Sequence, residues 1–361
     1  MKKNRLYLDI HAIQTLPPSN MNRDDTGSPK TAQYGGVRRA RVSSQSWKHA
    51  MRQYFKDHTE DYQLGVRTLE IAKYVAEFIR ELDEDIDEKT SRTMAEKVIK
   101  DAGVTLSKEG RAKALFFLGQ AQALLLAEAA INEVKDKKEL QAILKENPAI
   151  DIALFGRMVA DDPSLNEDAS AQVAHAISTH AVEPEFDFFT AVDDLAPEDN
   201  AGAGMLGTVE YNSSTLYRYA NVNVHNLLDQ LQNNNAAIET LKLFVESFTL
   251  SLPTGKINTF ANQTLPQVIL VTLRTDRPVS LISAYEKAIR SSEGYVQEST
   301  KRLFDELEKV EKFTLSPVFT SYVTNVPLEE NNIKEEENLS DLLKALQSQL
   351  EGMVFSLKEN V

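Results

Sequence analysis

The 361-residue chain contains no cysteine, which excludes disulfides, thiolate metal ligands and a thiol nucleophile. No apolar run reaches membrane-spanning length, and the longest, Pro266 to Leu273, is typical of a buried strand. The basic N-terminus lacks the apolar segment of a signal peptide because Asp9 and His11 interrupt it. Together these absences predict a cytoplasmic protein.

Common catalytic signatures are missing as well. The chain has no phosphate-binding Gly-Lys-Ser/Thr motif, no Gly-x-Ser-x-Gly elbow, no dinucleotide fingerprint and no His-Glu-x-x-His pair. Its six histidines are scattered, and the spacing of His175 and His180 does not suit one helix face. The sequence therefore predicts no enzymatic activity, no cofactor and no bound metal.

Positive charge is scarce overall but concentrated near the N-terminus. The chain has a formal net charge of -14, yet residues 1–60 hold eleven Lys/Arg against five Asp/Glu. This local excess predicts contact with a polyanion. The alternative is a solvated surface on which these cations pair with carboxylates from elsewhere in the chain.

The densest cationic segment runs from Arg38 to Trp47, where a long polar stretch (17–42) meets a helix capped by Ser43 or Ser44. Alternating apolar residues in 6–13 predict a half-buried strand before that stretch. The helix has one apolar face and a separate cationic stripe. The apolar face comprises Trp47, Ala50, Met51, Tyr54 and Phe55, and the stripe comprises Lys48, Arg52 and Lys56.

Helical periodicity dominates residues 63–181 and predicts a helical subdomain inserted into another fold. The predicted helices are Val66–Leu82, Ser91–Ala102, Ser107–Val134, Lys138–Lys145 and Asp151–Val159. Beyond it, two strand-like segments flank Asn212-Ser213-Ser214 and predict a hairpin that turns there. A helix over Ala236–Leu250 and a central strand over Gln267–Leu273 follow.

Beyond Arg274 the pattern predicts two amphipathic helices, a strand near 313–324 and an acidic helical tail. Without the insertion and the hairpin, the element order is strand, helix, strand, strand, helix, strand. That order predicts an α+β fold with a ferredoxin-like, RRM-type core.

Two local features leave alternatives open. Asp24 and Asp25, with Asp9 and His11 nearby in sequence, suit either a Mg²⁺ site for phosphodiester cleavage or an Asx turn with surface aspartates. The apolar hairpin around 205–219 suits either a wedge between nucleic-acid bases or an internal element packed on its own core.

Several sequence islands, in the same order along the chain, resemble the backbone subunit (CasC, of the Cas-seven family) of type I-E CRISPR Cascade. The islands are Asn22-Arg23-Asp24-Asp25, Tyr34 to Ser46 with Lys48, Ala153 to Met158, Ala191 to Asp194, Leu206-Gly207-Thr208, Tyr217 to Asn221, and Gly255 to Ala261.

The resemblance implies a modified RRM-type palm, an inserted helical fingers domain and a thumb β-hairpin. The implied bounds are palm 1–60, fingers 61–182, a palm strand 183–192, thumb 193–221, palm 222–325 and tail 326–361. It also implies a non-catalytic subunit that polymerises head to tail along CRISPR RNA and presents the guide for pairing with target DNA beside other Cascade subunits. The alternative is a metal-dependent ribonuclease like the type III relatives, with Asp24 or Asp25 in the active site.

Carried over position by position, the resemblance assigns RNA contacts to three groups of residues. The phosphate and sugar contacts are Arg23, Arg38, Arg39, Arg41, Ser43, Gln45, Lys48 and Arg52. A second loop adds Lys256, Asn258 and Phe260, and the residues near displaced bases are Met158, Met205 and Leu206. His49 stands where many members of that family have a basic residue.

Overall fold

The computed structural model describes residues 5–59, 63–159, 162–191, 205–329 and 331–358. Its strands are β1 (Tyr7–Ser19), β2 (Thr31–Tyr34), β3 (Val37–Val42), β4 (Gly65–Thr68), β5 (Phe116–Gly119), β6 (Ala171–Val173), β7 (Ala176–Ser178), β8 (Glu185–Ala191), β9 (Met205–Asn223), β10 (Pro266–Arg274), β11 (Phe319–Thr324) and β12 (Lys334–Glu335). Its helices are α1 (Ser44–His58), α2 (Ile71–Leu82), α3 (Glu88–Asp101), α4 (Gln120–Ile131), α5 (Lys137–Lys145), α6 (Ile150–Phe155), α7 (Val224–Leu231), α8 (Asn234–Leu250), α9 (Ile257–Phe260), α10 (Val296–Val310) and α11 (Leu339–Lys358). None of the helices in these ranges is both long and apolar enough to cross a bilayer.

A large sheet organises the chain, and β1 lies in its middle. Strand β1 pairs antiparallel with β10 on one side and with β9 on the other, and β6 and β7 lie beyond β9. The order β10, β1, β9 and then β6 or β7 gives the antiparallel neighbours expected of the ferredoxin-like arrangement. The predicted α+β class is confirmed.

Both faces of this sheet are covered. Helices α1, α8 and α11 bury Trp47, Phe244 and Leu346 in one core with Leu8 and Ile10 of β1. The segment that leads into α10, with α10 itself, covers the other face. The prediction of a half-buried β1 was therefore wrong, because its alternating polar residues are buried as well.

The predicted apolar face of α1 and the strand near Gln267–Leu273 match the structure, but other elements differ. The polar stretch 17–42 contains the β2–β3 hairpin. Only one α-helix, α10, lies between Arg274 and β11, where two were predicted, and Ile282–Tyr285 forms a short 3-10 helix.

The helical insertion has a core of its own, built by α2, α3, α4 and α5 around residues such as Val75, Ile79 and Leu126. Two predicted helices begin later than expected. Residues Gly65–Thr68 and Phe116–Gly119 pair as strands β4 and β5 before α2 and α4 begin. Helical periodicity masked these short strands because their pairing joins segments far apart in sequence.

The predicted hairpin turn at Asn212-Ser213-Ser214 was wrong. Strand β9 runs without a break from Met205 to Asn223, since its second half pairs with β1 and its first half with β8. The hairpin is therefore formed by β8 and residues 205–211, a pair of strands that we call the arm. Residues 192–194 of the island that begins at Ala191, and the start of the predicted thumb, lie outside the described residues.

Helix α11 occupies the segment predicted as an acidic tail. Its leucines at 342, 346 and 350 are fully buried in the same core as α1 and α8. The polar residues of the acidic pattern lie on the opposite side of the helix, which is an amphipathic core element.

Truncating this buried stripe should therefore destabilise the whole sheet. We expect Leu346→Ala to lower the free energy of unfolding by about 2–5 kcal/mol, since it leaves a cavity in a packed core. Urea denaturation measures this, with the exposed Ser348→Ala as the matched control. Equal stability of the two variants would mean that α11 is dispensable.

Candidate nucleic-acid interface

Loops gather at the end of the sheet where β1 finishes at Ser19, and we call this the loop end. The loop after β1 docks on the first turn of α1, because the backbone N–H of Ser43 donates to Oδ1 of Asn22 at 2.8 Å. Ser43 is the predicted N-cap, and its hydroxyl accepts from the N–H of Ser46. Ser43 is 5% exposed, so it positions the N-terminus of the helix more than it offers a free hydroxyl. The neighbouring Gln45 is exposed.

Three predicted arginines lie on or near the surface of the loop end. The side chain of Arg38 is exposed and makes no hydrogen bond or ion pair with any described residue, while Arg23 donates to the carbonyl of Asn20. Arg41 donates from Nε to the carbonyl of Thr31 at 3.0 Å and from Nη1 to Nδ1 of His175 at 3.2 Å. Partial burial and the nearby positive charges of Arg41 and Lys30 lower the pKa of His175, which keeps it a neutral acceptor.

Arg39 was predicted to grip phosphate, and the structure corrects this. Its side chain is fully buried and donates to the carbonyls of Tyr34, Ser178 and Tyr285 at 3.2, 2.9 and 2.8 Å. Gly35, in the turn of the β2–β3 hairpin, allows the hairpin to pack this closely against Glu286. A Cβ at Gly35 would overlap the carbonyl of Glu286, and the φ of Gly35 is +58°. Arg39 therefore joins the β2–β3 hairpin to the rest of the sheet, and its buried guanidinium uses four of its five N–H donors on backbone carbonyls.

Arg52 was likewise predicted to contact RNA, and it is committed elsewhere. Its Nε lies 3.0 Å from Oδ2 of Asp151, and its Nη2 donates to the carbonyl of Gly65 at 3.1 Å. Burial raises the pKa of Asp151, opposed chiefly by the charge of Arg52. This partly buried ion pair connects α1 to the helical insertion.

Lys48 lies one turn before Arg52 on α1, and its charge is not paired in the same way. Its Nζ lies 5.6 Å from the centre of the Phe155 ring, and it forms no ion pair within the described ranges. Burial and the charge of Arg67 lower its pKa. An anion bound here would offset the repulsion between the charges of Lys48 and Arg67.

Met158 is presented to solvent on a rigid support. Its side chain is 81% exposed. The preceding Arg157 is buried and donates to the carbonyls of Phe117 and Leu165, which holds the backbone in place. An apolar side chain this exposed on an anchored segment suits contact with a ligand.

The second loop completes the loop end. Gly255 sits so close to the backbone of Met21 that a Cβ would overlap the Met21 carbonyl oxygen, so the two loops pack directly together. Lys256 and Asn258 are exposed, and Lys256 adopts a left-handed backbone with φ +55°. The ring of Phe260 lies 5.9 Å from that of Tyr211 at the base of the arm.

The arm carries exposed apolar side chains beyond the loop end. Leu206 is 66% exposed, and strand register places it on the same face as Phe186 and Phe188. The backbone of Met205 pairs with that of Ala191, but its side chain lies outside the described part of the chain. The sequence singled out Leu206 but missed the two phenylalanines, although their alternation in 185–190 was a usable signal.

The aspartates considered for metal binding form a turn. Oδ1 of Asp24 accepts from the N–H groups of Thr26 and Ser28 and from the Thr26 hydroxyl, which lowers the pKa of Asp24. Asp9 is buried in the sheet, far along β1 from this turn. Among the described residues no group of three or more His, Cys, Asp or Glu side chains is placed to hold a metal ion.

One cation that sequence reasoning overlooked belongs to this surface. The side chain of Arg67 on β4 is exposed and makes no hydrogen bond or ion pair with a described residue, and its guanidinium carbon lies 4.8 Å from the centre of the Phe117 ring. It was overlooked because residues 66–82 were predicted to form a single helix, which gives no reason to place Arg67 near Lys48.

Comparisons with known proteins agree with this architecture. A family model described as CT1975-like protein matches residues 8–346. A chain of a solved "CRISPR RNA-guided surveillance complex, pre-nicking" is similar, with a TM-score of 0.85, 32% identity, and coverage of 95% of this chain and 100% of that one. A chain of another "CRISPR RNA-guided surveillance complex" has a TM-score of 0.72 and 28% identity, with coverage of 95% and 99%. No curated protein matches the sequence. Since the family model spans nearly the whole described fold, this chain belongs to the CT1975-like protein family.

Proposed function

We propose that this chain is a non-catalytic, CRISPR-RNA-binding backbone subunit of an RNA-guided surveillance complex, of the type I-E CasC kind. The observation that carries the proposal is a group of cations at the loop end, Arg38, Arg41 and Lys48, that pair with no described carboxylate. In a chain of net charge -14, carboxylates are plentiful, so cations left without them indicate a polyanionic partner. The similarity of the whole chain to subunits of surveillance complexes supports RNA as that polyanion.

The RNA backbone would follow the loop end. Arg23, Arg38 and Arg41 would supply guanidinium donors for phosphate oxygens. The N-terminal N–H groups of α1, positioned by Ser43, and the amide of Gln45 would add neutral donors. Lys256 and Asn258 would contact the strand from the second loop. Such contacts hold a backbone without reading its sequence.

The exposed apolar residues suit contact with bases. Met158 and Leu206 would lie against displaced nucleotides, and Phe260 would support the base of the arm through Tyr211. Apolar side chains that interrupt stacking divide a strand into segments. The guide could then pair with target DNA segment by segment, with sequence read by base pairing.

Copies of the subunit would assemble head to tail, because a heterologous contact that does not close on itself produces an open helical array. Adjacent loop ends would align into one groove for the guide, in a cytoplasmic complex with other Cascade subunits. The acidic remainder of each surface would keep the array soluble and would leave the groove as the place where RNA binds.

The test removes three cations of the loop end that make no ion pair. In Arg38→Gln, Arg41→Gln, Lys256→Gln, we expect copurifying RNA to be lost. We also expect the slope of log affinity against log salt to fall by about 2, at roughly 0.7 per phosphate contact on a single strand. Sequencing of RNA recovered with the unmodified protein should return repeat–spacer transcripts.

The matched control removes three exposed cations near the opposite end of the sheet, where β1 begins beside Arg274, at Arg277, Lys309 and Lys312. This variant has the same change in net charge and should keep RNA and slope unchanged. RNA retention equal in both triple variants, with an unchanged salt slope, would refute the proposal.

A further inference from the structure

Two cations from different parts of the fold converge beside Met158. Lys48 comes from α1 on the sheet side, and Arg67 comes from β4 of the helical insertion. Each is held over an aromatic ring, Lys48 over Phe155 at 5.6 Å and Arg67 over Phe117 at 4.8 Å. Arg67 is directly opposite Phe117 in the β4–β5 register, so the strand pairing fixes the ring that supports it.

The charges at this junction do not balance. The nearby carboxylate of Asp151 is already saturated, since Oδ2 faces Arg52 at 3.0 Å and Oδ1 accepts from the N–H of Gly65 at 2.9 Å. With Arg52 matched by Asp151, the charges of Lys48 and Arg67 remain. No described carboxylate forms an ion pair with either of them.

The two cations also repel each other and their neighbour. The charge of Arg67 adds to burial in lowering the pKa of Lys48, and the charge of Arg52 does the same to the pKa of Arg67. The charge of Asp151 opposes this effect at Arg67, but one carboxylate stands against the three cations Lys48, Arg52 and Arg67. A fold that holds an excess of like charges together is stabilised when an anion enters. The geometry is that of a pre-formed anion site with one planar and one point-like donor.

The site is connected to the segment that carries the exposed Met158. Phe155, under Lys48, is three residues before Met158, and the carbonyl of Phe117, under Arg67, accepts from the buried Arg157. One supporting ring, Phe155, therefore belongs to the segment that presents Met158, and the other, Phe117, belongs to the strand on which that segment is anchored. A phosphate held here would be close to the nucleotide that Met158 contacts.

We propose that Lys48 and Arg67 form a phosphodiester-binding site across the junction of the sheet and the helical insertion, which holds one backbone phosphate beside Met158. The inference rests on the proposed RNA-binding function and extends it by assigning a role to Arg67. Because the site spans two cores, a bound phosphate also ties the helical insertion to the sheet.

The experiment measures the salt dependence of binding to a single-stranded RNA by Arg67→Gln, Lys48→Gln and the double variant of the full chain. We expect each single variant to lower the salt slope by roughly 0.7, the value for one phosphate contact. The double variant should lose little more than either single one, because both cations serve the same phosphate. The exposed Arg277→Gln, at the opposite end of the sheet, is the charge-matched control and should retain the full slope.

A second readout does not depend on affinity. In RNA-saturated protein the pKa of Lys48, followed by NMR of its side-chain nitrogen, should rise relative to free protein. A lysine substituted at the exposed Arg277 (Arg277→Lys) is the control, and the pKa of that lysine should not rise. An unchanged Lys48 pKa and an unchanged slope in Arg67→Gln, with normal RNA binding by the unmodified chain, overturn this inference alone.

Other outcomes are equally informative. If Arg67→Gln disrupts association between copies in RNA-free protein while RNA binding keeps its full slope, the anion is a carboxylate of a neighbouring copy and the proposal is wrong. If the unmodified chain itself binds no RNA, the proposed function fails, and this outcome is distinct from the previous ones.

Discussion

Replacing Arg39 by alanine is expected to lower the free energy of unfolding by about 4 kcal/mol or more. The side chain donates to four backbone carbonyls, those of Tyr34, Ser178, Tyr285 and Glu286. Buried acceptors left without a donor cost about 1–3 kcal/mol each, and the missing side chain leaves a cavity as well. Urea denaturation followed by circular dichroism measures the loss.

The adjacent Arg38 is the matched control. Its side chain is exposed and makes no hydrogen bond with a described residue, so Arg38→Gln should change stability by less than about 0.5 kcal/mol while it weakens RNA binding. If Arg39→Ala fails to fold, Arg39→Lys keeps one charged donor and should be intermediate. A stable Arg39→Ala that loses RNA as Arg38→Gln does would mean that Arg39 contacts the ligand after all.

Two buried groups in β1 are expected to give opposite pH dependences of stability. Burial raises the pKa of Asp9 to about 7 and lowers the pKa of His11 to about 3. Asp9 accepts from the hydroxyl of Tyr219 and the N–H of Val279, and Nδ1 of His11 lies 2.9 Å from the hydroxyl of Tyr217. The hydroxyl of Tyr217 also accepts from the N–H of Leu281, so its proton points to His11, which favours neutral imidazole.

The signs follow from which state binds more protons. Between the unfolded pKa of 3.8 and about 7, folded Asp9 holds a proton that the unfolded chain has released, so its contribution to stability falls as pH rises. Between about 3 and 6.5, unfolded His11 holds a proton that the folded chain excludes, so its contribution rises with pH. The two contributions nearly cancel from about pH 4 to 6.5 in the unmodified chain.

Single substitutions should reveal each contribution. Relative to the unmodified chain, Asp9→Asn, which resembles the protonated acid, should gain stability as pH rises through this window. His11→Asn, which keeps an acceptor for Tyr217, should lose stability over the same window. Each difference approaches about 1.4 kcal/mol per pH unit.

Urea unfolding at several pH values measures these differences, and the exposed Ser348→Ala, which removes no titratable group, is the control that should show none. Parallel pH profiles for Asp9→Asn, His11→Asn and the unmodified chain would contradict the assignment. The charge of Arg274 acts on both groups and is common to all three proteins.

Local pattern was sufficient for parts of the fold. The apolar face of α1 and the continuous apolar run of β10 were predicted because helix period and strand length are properties of neighbouring residues. The hairpin at 212–214 failed for the opposite reason. Those residues are typical of turns, but pairing of β9 with β1 and β8 on either side keeps the strand extended.

The candidate site divides in the same way. The sequence identified Arg38, Arg41 and Lys48 from an excess of charge at a helix start. It could not separate Arg38 from Arg39, because the carbonyls that bury Arg39 come from residues 139 and 246 positions away. Nor could it join Arg67 to Lys48, since they meet only where two cores pack together.

The sequence by itself determined where positive charge concentrates and which segments are amphipathic, because both depend on residues close together in the chain. Only the tertiary structure decided which cations stay available for a ligand. A cationic side chain is paired or left free according to the acceptors that distant segments bring to it. Arg39 and Arg52 receive such partners, whereas the side chains of Arg38, Lys48 and Arg67 receive none from the described residues.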